Sequence, residues 1–193
     1  MAGYESQYLT GKLLVAMPSL GDPRFQRAVI FICAHDAGGA MGLVINHVMP
    51  GVDFKELVKQ LKIQSDIKVN FKDLSLPVMY GGPVESARGF LLHSSDFSNA
   101  DTMHIGHSIG VTGTLEALRD VATGQKPENL MFILGYAAWE SGQLEAEIVQ
   151  NAWLVIDRDE ALIFDPDHSA KWTQAINKLG IDPGMLSAHA GRA

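Results

Sequence analysis

Three short apolar runs open the chain, over residues 12–17, 28–34 and 41–46. Runs of this length, rich in Val, Ile and Leu, predict strands; the second, with Val29, Ile30 and Ile32, predicts a strand buried on both faces. Pro18 and the Gly21-Asp22-Pro23 turn close the first run. Only Asp36-Ala37-Gly38-Gly39 separates the second run from the third. That link is too short for a parallel crossover, so the two strands are expected to pair antiparallel. Further strands are expected over Leu76–Tyr80, Gly89–His93, Leu130–Leu134, Trp153–Ile156 and Ala161–Phe164. The last two would form a hairpin through Arg158-Asp159-Glu160.

Between these runs the period changes from two to 3.6. Phe54, Leu57, Val58 and Leu61 fall at i, i+3, i+4 and i+7, with Asp53 placed as N-cap and Glu56 as its capping-box partner. Leu115, Leu118, Val121 and Ala122 make a second helical face that ends at Gly124. Ser141 is positioned to cap a third helix through about Val149, with Leu144 and Ile148 inward. Trp172, Ala175, Ile176 and Leu179 repeat the helical pattern, and Gly180 closes it. The sum is about seven to nine strands and about four helices, an estimate from pattern alone. The expected fold class is α/β of the α+β type: a mixed, mostly antiparallel sheet, curled into a partial barrel, with the helices packed on it. No repeat, linker or low-complexity tract interrupts the chain, so residues 1–193 are expected to form a single domain.

Composition narrows the function classes. The chain is 47% hydrophobic and 19% charged, with a net charge of -7. That excess of acid, and the lack of a Lys/Arg cluster, argue against direct contact with nucleic acid, whose binders owe much of their affinity to neutralised phosphates. Lys55, Lys59 and Lys62, interleaved with Glu56, read as a solvated helix face. One cysteine, Cys33, excludes an intramolecular disulfide and suits a reducing compartment. The first ten residues lack the pattern of a signal peptide, and no apolar run approaches the roughly 20 residues of a spanning helix. A cytoplasmic protein without a membrane partner is expected.

The sharpest catalytic pattern is Gly106-His107-Ser108-Ile109-Gly110, which matches the G-x-S-x-G nucleophile elbow of serine hydrolases. Asp157, Asp165 or Asp167 and then His168 or His189 follow in the order such a triad requires. The context opposes it. A helix should begin at the serine, whereas Gly110-Val111-Thr112-Gly113 follows. Ser108 is therefore the sole catalytic candidate, as the alternative to a non-enzymatic role. Gly81-Gly82-Pro83 reads as a tight turn between two strands; as a phosphate cradle it would lack the Pro83 amide and face the charge of Glu85. Cys33 with His35, and His104 with His107, supply pairs but no third ligand, so neither a metal nor another cofactor is expected. Cys33 itself reads as a buried, inert thiol.

Taken in order, several segments carry more information together than any does alone. They include Leu13-Leu14-Val15-Ala16-Met17-Pro18, Asp22-Pro23-Arg24-Phe25 and Gly39-Ala40-Met41-Gly42-Leu43-Val44-Ile45-Asn46. Gly81-Gly82-Pro83-Val84, Gly89-Phe90 and Leu92-His93 follow. The strongest stretch is Leu134-Gly135-Tyr136-Ala137-Ala138-Trp139, then Gly142-Gln143-Leu144-Glu145, Glu147 and Asn151-Ala152-Trp153-Leu154. In this arrangement the chain resembles the YqgE/AlgH family of bacterial proteins, from about Leu9 to Phe164. The resemblance implies a single-domain fold with a mixed, barrel-like sheet, and it carries the family label of transcriptional regulator. The Ser108 segment is not part of the family pattern.

Polar and aromatic residues at strand ends beside glycine turns are where pockets form. The expected binding wall is therefore Asn46, the Gly81-Gly82-Pro83 turn, His93, Tyr136, Trp139 and Gln143. The expected function is regulation by capture of an unidentified protein or small molecule.

Overall fold

The computed structural model describes residues 7–60, 76–113, 115–122 and 124–186. Its strands are β1 Leu13–Ala16, β2 Val29–Asp36, β3 Gly39–Val44, β4 Val48–Asp53, β5 Pro77–Tyr80, β6 Val84–Ser94, β7 Met103–Ile105, β8 Ile109–Thr112, β9 Leu130–Glu140 and β10 Trp153–Ile156. Its α-helices are α1 Phe54–Gln60, α2 Leu115–Ala122, α3 Gln143–Val149, α4 Glu160–Ile163 and α5 Lys171–Lys178. The pairing is mixed and mostly antiparallel, as the sequence pattern indicates; β5 with β9 is the parallel pair. The chain divides into two compact units, Met1–Asn46 with Ala137–Ala193, and His47–Tyr136. The strand β9 contributes to both.

In the first unit β1 lies between β10 and β2, and β3 joins β2 to the end of β9. The β2–β3 pair is the expected antiparallel hairpin, with Asp36 opposite Gly39. Val29, Ile30, Phe31 and Ile32 are fully buried, so both faces of β2 are covered, which is why this stretch is apolar without alternation. One face packs Leu14, Ile30, Ile32 and Val44 with Trp139, Leu144 and Trp153. Burying each such aliphatic side chain contributes about 1.5–3 kcal/mol. The helix α5 packs on β1 and β2 through Trp172, Ala175 and Ile176. Its first turn is tied to two strand ends and to α4: Trp172 Nε1 donates to the Ala16 carbonyl at 2.8 Å, and Lys171 Nζ donates to those of Ile45 at 3.1 Å and Ile163 at 2.6 Å. Burial lowers the Lys171 ammonium from its ordinary 10.5 to about 8. Gly180, at φ +71°, follows the helix as expected.

Two local readings change in this unit. Ala161–Phe164 is not a strand: Glu160–Ile163 forms the short helix α4, because the Asp159 carboxylate accepts the Leu162 amide at 3.1 Å and caps it. A four-residue apolar run cannot distinguish strand from buried helix by period. Ser141 does not cap α3 either. Its hydroxyl donates to the Ala37 carbonyl at 2.6 Å, and the helix starts behind Gly142 at φ +74°.

The second unit holds β4 to β8, α1, α2 and the Leu130–Tyr136 part of β9. Phe54, Val78, Leu91, Phe97, Ala117, Leu118, Val121 and Phe132 form its core. Asp53 caps α1 as expected, accepting the amides of Lys55 at 2.7 Å and Glu56 at 3.3 Å. Leu61 of the expected face lies outside the described residues. On α2 the buried face is Ala117, Leu118 and Val121, while Leu115 is 49% exposed.

The connection from β5 to β6 is the unexpected element. Phe132, Ile133 and Leu134 of β9 pair in parallel with β5 along one edge and antiparallel with β6 along the other. Gly81-Gly82-Pro83 is therefore no hairpin turn; it is a strap that crosses the face of β9. Two strand spacings are about 10 Å, and three extended residues span about 10 Å, so the strap runs nearly taut against the strand. Gly135 lies under it at φ +74°. A Cβ on Gly81 would sit 2.3 Å from the Gly135 carbonyl oxygen, and one on Gly135 would sit 2.4 Å from that of Gly82. Gly81 and Gly135 occupy the crossing because no side chain at either position fits between the layers.

Candidate functional site

The strap delivers the chain into a distorted start of β6. Val84 pairs with Tyr136, but the next matched pair is Gly89 with Leu134. Glu85, Ser86, Ala87 and Arg88 bulge outward opposite Gly135, all four exposed. Glu85 has φ +44°, a conformation that costs a non-glycine residue free energy and that accompanies sites of function. Its carboxylate accepts the Tyr136 hydroxyl and Arg88 Nη1, the latter at 3.0 Å. The Tyr136 bond, then the Arg88 bond, holds the Glu85 carboxyl below the usual carboxylate range, and Glu85 raises the Tyr136 phenol. The Arg88 guanidinium lies 5.1 Å from the centre of the Phe90 ring, and that ring meets Tyr136 edge-on at 5.9 Å.

Beside this bulge is an apolar cavity of about 190 Å³. Leu91, Leu118, Phe132 and Leu134 form its walls, with Leu57 of α1; Ala87, Gly89, Phe90, Gly113 and Leu115 surround them. Ala87, Gly113 and Leu115 are solvent-exposed, so the cavity opens there. Thr112 supplies its polar floor. His93 stands behind that threonine, fully buried. Its Nδ1 faces the Ser94 carbonyl at 3.0 Å and so must donate, which leaves Nε2 to accept the Thr112 hydroxyl at 2.9 Å. Thr102 Oγ1 lies 2.8 Å from Thr112 Oγ1 and continues the chain. Burial lowers the His93 pKa, which keeps the ring neutral and in this tautomer.

The residues of the expected wall are distributed as follows. Gly81, Gly82 and Pro83 form the strap, and Tyr136 joins the Glu85–Arg88 bulge. His93 pairs with Leu130, six residues from Tyr136 along β9 and about 20 Å away, and meets the cavity only through Thr112. Asn46, Trp139 and Gln143 belong to the first unit. Asn46 Oδ1 accepts the Val29 amide and its Nδ2 donates to the Arg27 carbonyl, both at 2.8 Å, which fixes the entry to β2. Trp139 is core, 6% exposed. Its indole donates to Glu147 Oε2 at 2.9 Å, and Trp153 donates to the same oxygen at 2.7 Å. Gln143 Nε2 donates to Glu147 Oε1 at 2.9 Å, one helical turn away. Sequence reasoning missed Ala87, Arg88, Thr112 and Leu118; the signal for the first two was the polar Glu-Ser-Ala-Arg interruption between two strand runs.

The structure lends the Ser108 alternative no support. Residues 106–108 turn between β7 and β8, which pair antiparallel with Ile105 opposite Ile109. A nucleophile elbow needs a strand-to-helix turn with a free amide behind the serine; Ser108 sits in a hairpin, and its carbonyl accepts the Ser95 amide at 3.0 Å. Cys33 is buried and its thiol is pushed up to about 12, far from a reactive thiolate. Among the described residues no three His, Cys, Asp or Glu side chains converge as metal ligands, and no helix is long and apolar enough to cross a membrane.

A mixed sheet with a glycine strap over one strand and a small apolar cavity beside it defines an α/β scaffold. Comparison with known proteins gives that scaffold its family. A family profile described as AlgH-like matches residues 13–184, and the chain belongs to that family. A UPF0301 protein of Bradyrhizobium diazoefficiens is 49% identical, over 96% of this chain and 89% of its own length. Another, from Jannaschia, is 48% identical over 96% of this chain and 95% of its own. The solution structure of the AlgH protein from Pseudomonas aeruginosa aligns over 100% of both chains, with 37% identity and a TM-score of 0.79. A crystal structure of a Corynebacterium diphtheriae protein aligns over 92% of this chain and 89% of that one, at 18% identity and a TM-score of 0.68; it shares the fold.

Proposed function

We propose that this chain is a non-catalytic, cytoplasmic regulatory protein that works by binding a small molecule in the cavity between β6, β9 and α2. The observation that carries the reading is the cavity itself: 190 Å³ of mainly apolar space, open to solvent, beside the core of the second unit. An apolar cavity of about 150 Å³ accepts a benzene molecule, so this one has room for a ring with a small substituent. The His93–Thr112 pair supports a binding role, because Thr112 is 1% exposed and its hydroxyl is already shared between His93 and Thr102. In this reading the two units act as one domain, in keeping with a family profile that runs from residue 13 to 184. Regulation would proceed through the liganded protein and its partners. A net charge of -7 speaks against direct grip on DNA.

Titration of isotopically labelled protein with indole tests the reading by NMR. Resonances of Leu91, Leu118 and Phe132 are expected to shift saturably, and Ala87→Trp, which plugs the exposed rim, is expected to abolish the shifts. No shift at millimolar indole overturns it.

A further inference from the structure

We propose that His35 is an acid-sensitive latch: its neutral ring holds Tyr8 and Leu9, ahead of β1, against the sheet, and protonation of the ring releases them. The proposal concerns the first unit and is independent of the cavity reading.

Three observations support it. The chain folds back onto the ring through a tight turn. The Lys12 amide donates to the Leu9 carbonyl at 2.9 Å, and Gly11 between them has φ +84°, as the third position of such a turn requires. The turn is anchored on β2, where the Gly11 amide donates to the Ile32 carbonyl at 2.8 Å and the His35 amide to Thr10 Oγ1 at 2.9 Å. The Leu9 amide is thereby aimed at the ring and donates to His35 Nδ1 at 3.0 Å, while the Tyr8 ring meets the imidazole edge-on at 5.2 Å. Hydrogen bonding also fixes the state of the ring. Because Nδ1 accepts, the neutral ring carries its proton on Nε2, which donates to Glu145 Oε1 at 2.9 Å. A second proton would sit on Nδ1 and point at the Leu9 N–H, donor against donor. Finally, Glu145 makes a charged ring attainable although the His35 side chain is 1% exposed. Its carboxylate is held below the usual range by its own backbone amide and by His35, so it stays ionised as the imidazole charges. Protonation therefore exchanges the Leu9 bond for a charge-assisted bond to Glu145.

The groups that face the ring are thus the Glu145 carboxylate from α3 and the Tyr8 phenol from the latched segment. Ala40, opposite His35 on β3, and Trp139, opposite Ala40 on β9, carry no titratable group. Along β2 itself, Asp36 turns to the other side of the strand and accepts the Gly38 amide, and the Cys33 thiol, pushed up to about 12 by burial, faces the Phe31 carbonyl. Leu9 packs against the cluster that holds Leu14, Ile32 and Trp139, so its release uncovers part of that cluster.

Amide hydrogen exchange from about pH 7.5 to 5, the range in which imidazoles take up a proton, tests the latch. Rates are corrected for the intrinsic pH dependence, and the His35 ring is followed by NMR in the same samples. Protection of Leu9 is expected to fall about tenfold as the ring charges, the factor for one lost hydrogen bond that leaves its donor unpaired. Protection of Ile30, fully buried in β2, is expected to hold. Glu145→Gln keeps an acceptor for Nε2 but no counter-charge, and is expected to open at lower pH. His35→Phe is expected to show the open level of Leu9 protection throughout. If the ring does not charge across that range, or charges while Leu9 stays protected, the proposal fails. It fails too if Glu145→Gln opens at the parent's pH, or if His35→Phe keeps the pH response.

Discussion

Gly81 and Gly135 face each other across the strap with less space between them than one methyl group needs. A Cβ on Gly81 would approach the Gly135 carbonyl oxygen to 2.3 Å, and backbone cannot swing aside as a flexible side chain can. Gly81→Ala and Gly135→Ala should therefore each cost roughly 3 kcal/mol or more, through steric displacement of the strap. Gly142→Ala is the control. Gly142 shares φ +74° but has open space around it, so only the backbone penalty of about 1 kcal/mol applies. Urea denaturation of the three variants checks the order; equal losses at all three positions would remove steric crowding as the cause.

The two indoles that meet on Glu147 give a second prediction. Glu147→Ala leaves the N–H groups of Trp139 and Trp153 without an acceptor in a largely buried setting, at a cost of roughly 3 kcal/mol. Glu147→Gln keeps one acceptor oxygen but turns a donor toward Gln143, and should fall between. A Glu147→Ala protein within 0.5 kcal/mol of the parent, a margin typical of ordinary surface sites, would mean the carboxylate is replaceable by water.

Stability should rise with pH in a window set by Lys171. Its folded pKa is lowered to about 8 from 10.5, so between those values the unfolded chain holds the extra proton. The burial penalty is constant below pH 8 and is relieved as pH rises through the window, by about 1 kcal/mol between pH 8 and 9. Lys171→Met should lose this slope, even though it is less stable at every pH for want of donors to the Ile45 and Ile163 carbonyls. Cys33, with a folded thiol at about 12, acts in the opposite sense above its ordinary 9.0, but it is common to both proteins and cancels in the comparison. Urea midpoints at pH 7.5, 8 and 9 decide the matter; parallel profiles would rule out Lys171 as the source.

Native protein should not react with a fluorophosphonate probe at Ser108. The hairpin turn gives that hydroxyl no strand-to-helix elbow. Specific labelling that disappears in Ser108→Ala, read by intact-mass spectrometry, would reopen the question of catalysis.

How far the sequence disclosed this molecule depended on the range of the interaction concerned. The β2–β3 hairpin was legible because Asp36-Ala37-Gly38-Gly39 sets pairing and direction locally, and α5 because Trp172, Ala175 and Ile176 share one face. The strap was not, since Gly81-Gly82-Pro83 reads as a turn until one knows that a strand from far along the chain lies under it. The candidate site was less legible than the fold. Tyr136 was singled out for its aromatic ring and polar tip, and it does join the bulge. Trp139 was singled out on the same ground, yet it is core, its indole N–H taken up by the half-buried Glu147 carboxylate. Arg88 was marked only by the polar Glu-Ser-Ala-Arg interruption, because Phe90 and Glu85 meet it in space and not in the sequence pattern. His93 was chosen for its chemistry, and its chemistry is consumed by Thr112 and Ser94.

The strap also dictates an order of assembly. The link between β5 and β6 is complete long before β9 emerges, since β7, β8 and α2 intervene in the chain. Without β9, β5 and β6 each lack one partner strand, so the second unit cannot complete its sheet from its N-terminal part alone. A chain released from the ribosome before Tyr136 would expose two unpaired edges to any other strand that could occupy the gap.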